Sequence, residues 1–387
     1  MLPRFLDGFS PLDLFLELSA SHVFIVGPLP LLALHSLSSK VTIRNTKERE
    51  LSPGLRIRHS VYFNSMETEG RMPSYKLNTG ALMPAVTVGT SAKGLSPGQV
   101  KQYVLKALET GYTSVDTAKA YGTEASVGAA LQEAFSAGLV KREEVFVTTK
   151  IWCADMHPPS IIPAIQNSLK ELKLDYVDLM MVHWPLRLRE GSNPQTLQEE
   201  DWLTLDLVGC WKELEKAVEI GLAKAIGASN FSTMLLKEIE PHSKIVPAVI
   251  QMEMHPGCEV TKLREYCTQK GIHVTAWAPL GSPGYGTNWA SNAVLENSVL
   301  KEIAANHGKS VAQVALRWVL DKGVGVTVKS SNPERLAQNL DVFDWTLHPE
   351  EHEQVKAIKP FRIFDGSFWL KFNNCPYKSL ADFWDDS

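Results

Sequence analysis

The chain has 387 residues, 44% hydrophobic and 21% charged, a balance that suits a globular protein with a sizeable core. Its formal charge of −4 leaves no basic surplus to draw it to nucleic acid or an anionic membrane, so neither is expected as a partner. Five widely spaced cysteines (Cys153, Cys210, Cys258, Cys267, Cys375) form no CxxC pair, which points to reduced thiols in a reducing compartment and away from a disulfide scaffold.

Residues 1–71 show no sustained helical or strand period. Their longest apolar run, VFIVGPLPLLAL at 23–34, falls short of the roughly 20 residues a membrane span needs and is broken by Pro28 and Pro30. Asp7, Asp13 and Glu17 give the stretch before it the wrong charge for a signal peptide or transit peptide. A cytoplasmic protein is therefore expected. Met66 and Met72 would each serve as a start, so residues 1–71 read as a poorly ordered extension or a start-site artefact, and 72–387 as the folded domain.

From Met72 onward, strand and helix signals alternate. Short continuous apolar runs, the mark of strands covered on both faces, lie at 85–89, 113–116, 145–149, 177–183, 223–229, 248–253, 273–278 and 324–329. Helical periodicity fills the intervals at 97–111, 125–138, 159–172, 208–221, 233–240, 262–271, 310–323 and 333–340. Several of these segments end on glycine (Gly111, Gly138, Gly221, Gly271, Gly323), which tolerates the left-handed turn that closes a helix. Eight strand-then-helix units predict a closed parallel (β/α)8 barrel. A doubly wound sheet would want a glycine-rich turn after its first strand, and none follows Gly89.

In such a barrel the reactive groups gather at the C-terminal ends of the strands. Asp116 ends the second strand and Tyr121 follows it in DTAKAYGTE; Lys150 ends the third (VTTKIW) and His183 the fourth (MVHWP). Together they make a general acid. A free tyrosine, with a pKa near 10, is a reluctant proton donor near neutrality, and an adjacent ammonium stabilises its phenolate. Asp116 keeps Lys150 charged and aimed, and His183 orients an incoming carbonyl oxygen. That arrangement suits hydride addition to a carbonyl. Taken singly, each of these residues is as readily a loop cap or a solvated ion pair; it is their convergence that argues for chemistry.

The spacing Asp116-Thr-Ala-x-x-Tyr121-Gly-x-Glu124, followed by Lys150 and His183, resembles the tetrad of the aldo-keto reductase superfamily. LNTGALMPAVTVGT, IGASNFS, AWAPLGS and VKSSNPERLAQN resemble further family motifs, and the likeness runs from about Tyr75 to the C-terminus. YGTE, IWCADMH, HWPLRL and PYKSLADFW look most like the plant-type branch that includes chalcone reductase, codeinone reductase and deoxymugineic acid synthase, which implies specialised metabolism. The resemblance also implies an N-terminal β-hairpin cap, a C-terminal tail over the mouth, a monomer, and an NADP-dependent oxidoreductase acting on CH–OH groups. Its cofactor would be NADPH, with Asp116 among the residues that bind it. Thr90 and Ser91 would lie near the nicotinamide ribose, and Ser229, Asn230 and Gln251 would bind the carboxamide. Trp277 would stack on the ring, where the family more often has tyrosine. Leu280 and Ser282 would meet the pyrophosphate, Lys329, Ser330 and Arg335 the 2′-phosphate, and Gln338 and Asn339 the adenine. Without the surrounding pattern, Lys329 and Arg335 would read as the solvated start of a helix.

Trp152 and Trp184, each directly after a tetrad residue, are expected to wall a small-molecule carbonyl site together with His183, or to pack the barrel rim. Segments 185–206, 281–297 and 361–387 are expected to complete the wall. Tyr266-x-x-x-Lys270 imitates the spacing of another reductase class but falls on a predicted helix face, where such a pair is surface packing. His255 and Cys258 lack the companions a zinc site needs, so no metal is expected and HPGC reads as a loop. A second reading of the whole chain stays open: a barrel that binds cofactor and serves mainly as a regulatory or partner-binding module.

Overall fold

The computed structural model describes residues 72–91, 94–192, 196–283 and 292–385, together with two short segments near the N-terminus. Those segments, Leu18–Ser19 and His22–Val23, pair antiparallel and belong to a unit spanning Met1–His59, separate from the unit Ser60–Ser387. The rest of 1–71 lies outside the described residues.

The larger unit is the expected barrel. Its strands are β1 (Val86–Gly89), β2 (Ser114–Asp116), β3 (Phe146–Ile151), β4 (Leu179–Val182), β5 (Ile226–Ser229), β6 (Val249–Glu253), β7 (His273–Trp277) and β8 (Gly325–Val328). They form one closed barrel in sequence order, all neighbours parallel, and β8 pairs back onto β1 through Val326↔Val86 and Val328↔Val88. Nearly every strand residue is buried, as continuous apolar runs require when side chains face the barrel interior on one side and helices on the other.

The helices are α1 (Pro97–Thr110), α2 (Glu124–Ser136), α3 (Pro158–Leu172), α4 (Leu207–Glu219), α5 (Thr233–Ile239), α6 (Thr261–Lys270), α7 (Ser298–His307), α8 (Val311–Asp321), α9 (Pro333–Leu340) and α10 (Pro349–Lys356), with two single turns, Ser367–Leu370 and Leu380–Phe383, in the tail. α1 shows how local sequence sets an element. Ser96 and Gln99 form a reciprocal capping box, Val100, Tyr103, Val104, Ala107 and Leu108 make the buried stripe, and Gly111 at φ 108° ends it. Gly128 lets α2 approach α3, since a Cβ there would lie 2.5 Å from the Glu171 carbonyl oxygen. α7 and α10 were not expected. They join each other through His307, whose Nε2 lies 2.8 Å from a Glu351 oxygen. Among the described residues no helix is long and apolar enough to cross a membrane.

The two barrel ends differ. Below, the hairpin Ser74–Lys76/Leu82–Pro84 closes the N-terminal end. Its Leu77 and Met83 cluster with Phe146, Leu179 and Val249, the first residues of β3, β4 and β6. Above, the strand ends stay polar.

Candidate active site

Register places the polar residues. Asp116 ends β2 beside Thr148 of β3, and Ile151 of β3 stands beside Val182 of β4, so Lys150 and His183 come to the same rim as Asp116. Tyr121 arrives on a turn of 3-10 helix, Lys119–Tyr121, which Gly122 ends in the left-handed region at φ 64°.

Lys150 is 1% exposed and anchors the group. Its Nζ donates to Asp116 Oδ1 at 2.5 Å, to the Thr117 carbonyl at 3.0 Å and to Tyr121 Oη at 3.5 Å. Burial pulls the ammonium below its ordinary range, and the Asp116 carboxylate opposes that pull. A buried ammonium is tolerable only with such partners. The second Asp116 oxygen accepts from Gln251 Nε2 at 3.0 Å, so the carboxylate is bonded on both sides.

His183 stands edge-on to Tyr121, ring centroids 5.3 Å apart at 86°, and to Trp152 at 5.4 Å and 74°. Burial, with the Lys150 charge second, pushes its imidazole well below the usual value, so the ring is neutral at physiological pH. Its Nδ1 is buried without a hydrogen-bond partner. Its backbone is fixed by Asn230, whose Nδ2 donates to the His183 carbonyl at 3.0 Å.

Asn230 belongs to a second polar group at the β5–β7 ends. It adopts φ 62°, donates to Ser229 Oγ at 3.1 Å and accepts from Trp277 Nε1 at 2.9 Å. Ser229 Oγ in turn donates to the Gln251 carbonyl at 3.0 Å. Ser229, Asn230 and Gln251 are buried, and Trp277 is half-buried. The side chains expected to share a task are thus interlocked, and Gln251 ties them to Asp116.

The remaining expected positions spread along the rim. Thr90 is buried, its hydroxyl 3.2 Å from that of Thr123, which stands equally far from Thr117 Oγ1. Ser91 is half-buried beside 92–93, which lie outside the described residues. Leu280 and Ser282 are half-buried after β7, and Ser282 has φ 50°. Beyond β8, Ser330 is buried and its Oγ accepts from the Asn332 amide at 3.1 Å. Asn339 is buried on α9, whose Leu336 carbonyl accepts from Tyr112 Oη at 3.1 Å, whereas Gln338 is exposed. Lys329 and Arg335 are exposed and stand in no ion pair among the described residues. Partial burial and then the Arg335 charge hold Lys329 below its ordinary range. Two cations brought together with no anion between them make a site suited to a dianion.

The two tryptophans part company. Trp152 keeps its ring at His183, while Trp184, 9% exposed, packs into the tail against Phe364 and Trp369, each at 4.7 Å. Tyr377 Oη donates to the Pro185 carbonyl at 3.0 Å and fastens the tail to segment 185–206. Residues 284–291 of segment 281–297 lie outside the described residues. Tyr266 and Lys270 both bond Glu240 on the surface, as surface packing predicts. His255 and Cys258 close a tight turn after β6. Three features escaped sequence reasoning: the Gln251–Asp116 bond, the contact of Glu124 with Thr149 Oγ1 at 2.6 Å, and the burial of Glu253. Glu124 had a signal, lying inside the motif that carries Tyr121; Glu253 had none.

Comparison with known proteins agrees with this geometry. The profile of the Aldo/keto reductase family matches residues 85–360, more than half of the chain. The chain is 42% identical to deoxymugineic acid synthase 1-A of Triticum aestivum, covering 79% of this chain and 97% of that one. It is 44% identical to the bifunctional protein STORR of Papaver somniferum over 83% of its own length, but spans only 35% of that longer protein. A solved aldo-keto reductase of Bombyx mori in complex with NADP superposes with a TM-score of 0.72 at 34% identity, covering 79% of this chain and 99% of that one.

Proposed function

This chain belongs to the aldo/keto reductase family, and on that premise we propose that it reduces an aldehyde or ketone to the alcohol with NADPH, Tyr121 delivering the proton. The observation that carries the proposal is the reach of Lys150 Nζ to Asp116 at 2.5 Å and Tyr121 Oη at 3.5 Å within one buried corner.

When bound, the reduced nicotinamide supplies the hydride. The interlocked Ser229, Asn230 and Gln251 suit its carboxamide, and Trp277 suits its ring face. Lys329 and Arg335, in no ion pair among the described residues, suit the 2′-phosphate, whose two negative charges would relieve their mutual repulsion. A carbonyl oxygen then lies between Tyr121 and the uncharged His183, whose N–H orients it without competing for the proton. As the carbonyl carbon gains hydrogen, its oxygen gathers negative charge and takes the Tyr121 hydroxyl proton. The phenolate left behind is held by the Lys150 ammonium until solvent returns a proton. Trp152 supplies apolar wall beside His183.

The test follows NADPH absorbance with a panel of aldehydes, ketones and aromatic carbonyls, for the wild-type chain and Tyr121→Phe. Turnover in the first and its near loss in the second is expected. No turnover with any carbonyl, or equal turnover in both, ends the proposal.

A further inference from the structure

The tail from residue 361 onward packs against the rim of the barrel, and one buried acid holds its beginning there. Glu253 ends β6, two residues beyond Gln251, and is 0% exposed. Its only ion-pair partner among the described residues is His255, also 0% exposed. Burying a carboxylate is costly without compensating partners, so those partners show its task. Oε1 accepts from the Ile363 amide at 2.5 Å and Oε2 from the Phe364 amide at 2.9 Å. Oε1 also faces His255 Nε2 at 3.1 Å, while the other ring nitrogen faces the Pro256 carbonyl at 3.1 Å. An oxygen thus faces each nitrogen of the ring and fixes its orientation.

The turn after β6 adds to the grip. Phe361 stacks on the His255 ring at 4.6 Å, and its amide donates to the Gly257 carbonyl at 2.8 Å. Gly257 has φ 108°, and a Cβ there would fall 2.4 Å from the Phe361 ring, so only glycine lets the tail seat this closely. The Phe364 ring then lies 4.7 Å from Trp184, the residue next to His183. A continuous path of contacts therefore runs from a buried acid on β6 to the tetrad's neighbour.

We infer that Glu253, paired with His255, is the positioning residue of the tail, and that it determines how well the site accepts bulky apolar carbonyl substrates relative to small ones. A short aldehyde needs only Tyr121 and His183. A bulky ketone also needs the wall that Trp184 and Phe364 support. The kinetic part rests on the reduction proposed above, and the anchoring part does not.

The test compares the wild-type chain with Glu253→Gln and Phe364→Ala. Glutamine keeps the volume but turns an NH2 toward one of the two tail amides, so one of those bonds is lost. Hydrogen exchange at whichever of the Ile363 and Phe364 amides loses its acceptor should speed up about tenfold or more in Glu253→Gln. Its KM for a bulky aromatic ketone should rise roughly tenfold with kcat nearly unchanged, the pattern of lost binding without lost chemistry, while a short aliphatic aldehyde shows neither change. Phe364→Ala keeps the anchor and removes the ring it positions, so it should raise the same KM and leave Ile363 exchange as it was. Unchanged exchange in Glu253→Gln overturns the inference, as does an equal fall of kcat for both substrates with the tail still protected. Should Glu253→Gln fail to fold, an unchanged KM in Phe364→Ala overturns it. If the wild-type chain reduces no carbonyl at all, the reduction fails as a proposal, and exchange alone decides the anchor.

Discussion

His273 opens β7 at the closed end of the barrel, and His183 follows β4 at the open end. Both are held below the ordinary imidazole value by burial, His273 to about 3. At the closed end the ring meets Tyr75 of the hairpin at 4.3 Å, and its Nε2 finds no hydrogen-bond partner. At the open end the ring meets Tyr121 and Trp152, with the Lys150 charge as a second cause of neutrality. The same physical treatment thus gives a neutral ring in both places, and on the function proposed above only the ring at the open end serves as a hydrogen-bond donor. What separates them is the neighbourhood: an apolar plug around Leu77 and Met83 below, interlocked polar side chains above.

The strongest way to break this contrast is to cross its readouts. Tyr121→Phe should lower turnover by about 10²–10⁴-fold while leaving the unfolding midpoint in place. Met83→Ala should do the reverse, costing about 2–5 kcal/mol of stability by denaturant titration with activity per folded molecule retained. Loss of stability in the first variant, or of chemistry in the second, would mean that the two ends are not separate. Lys329→Ala sharpens the picture at the far edge of the open end. Its KM for NADPH should rise roughly tenfold or more with kcat held, and activity with NADH should stay as it was. Equal effects on both cofactors would remove the phosphate from that site.

A further expected effect is on acid stability. Both imidazoles have folded values below the free one, so beneath about pH 6.5 the unfolded chain binds protons that the native chain refuses. Stability should therefore decline from that point toward about pH 3, where His273 protonates in the folded state. His273→Gln should make the decline shallower in denaturant titrations between pH 7 and pH 4. An unaltered slope would show that the closed-end ring is not part of it.

Much of this was legible in the order of residues. The eight strands were readable because a parallel strand covered on both faces must be apolar without interruption, and each run set its own boundaries to within a few residues. Asp116, Tyr121, Lys150 and His183 were readable because a barrel brings successive strand ends to one rim, so position along each strand stood in for position in space. α10 was missed because its sequence, PEEHEQVK, is mostly polar and keeps only Glu351 and Val355 buried.

The amino-acid sequence by itself determined the class of barrel, the rim on which its ionisable residues meet, and the surface helix face that carries Tyr266 and Lys270. Only the tertiary structure decided that Gln251 braces Asp116, that Trp184 faces the tail while Trp152 faces His183, and that Glu253 grips Ile363 and Phe364 from 110 and 111 residues away. Periodicity and capping arise among residues a few positions apart, so they are written locally. A bond across a hundred residues leaves no period, and exists only once the barrel has closed and brought the end of β6 to the returning tail.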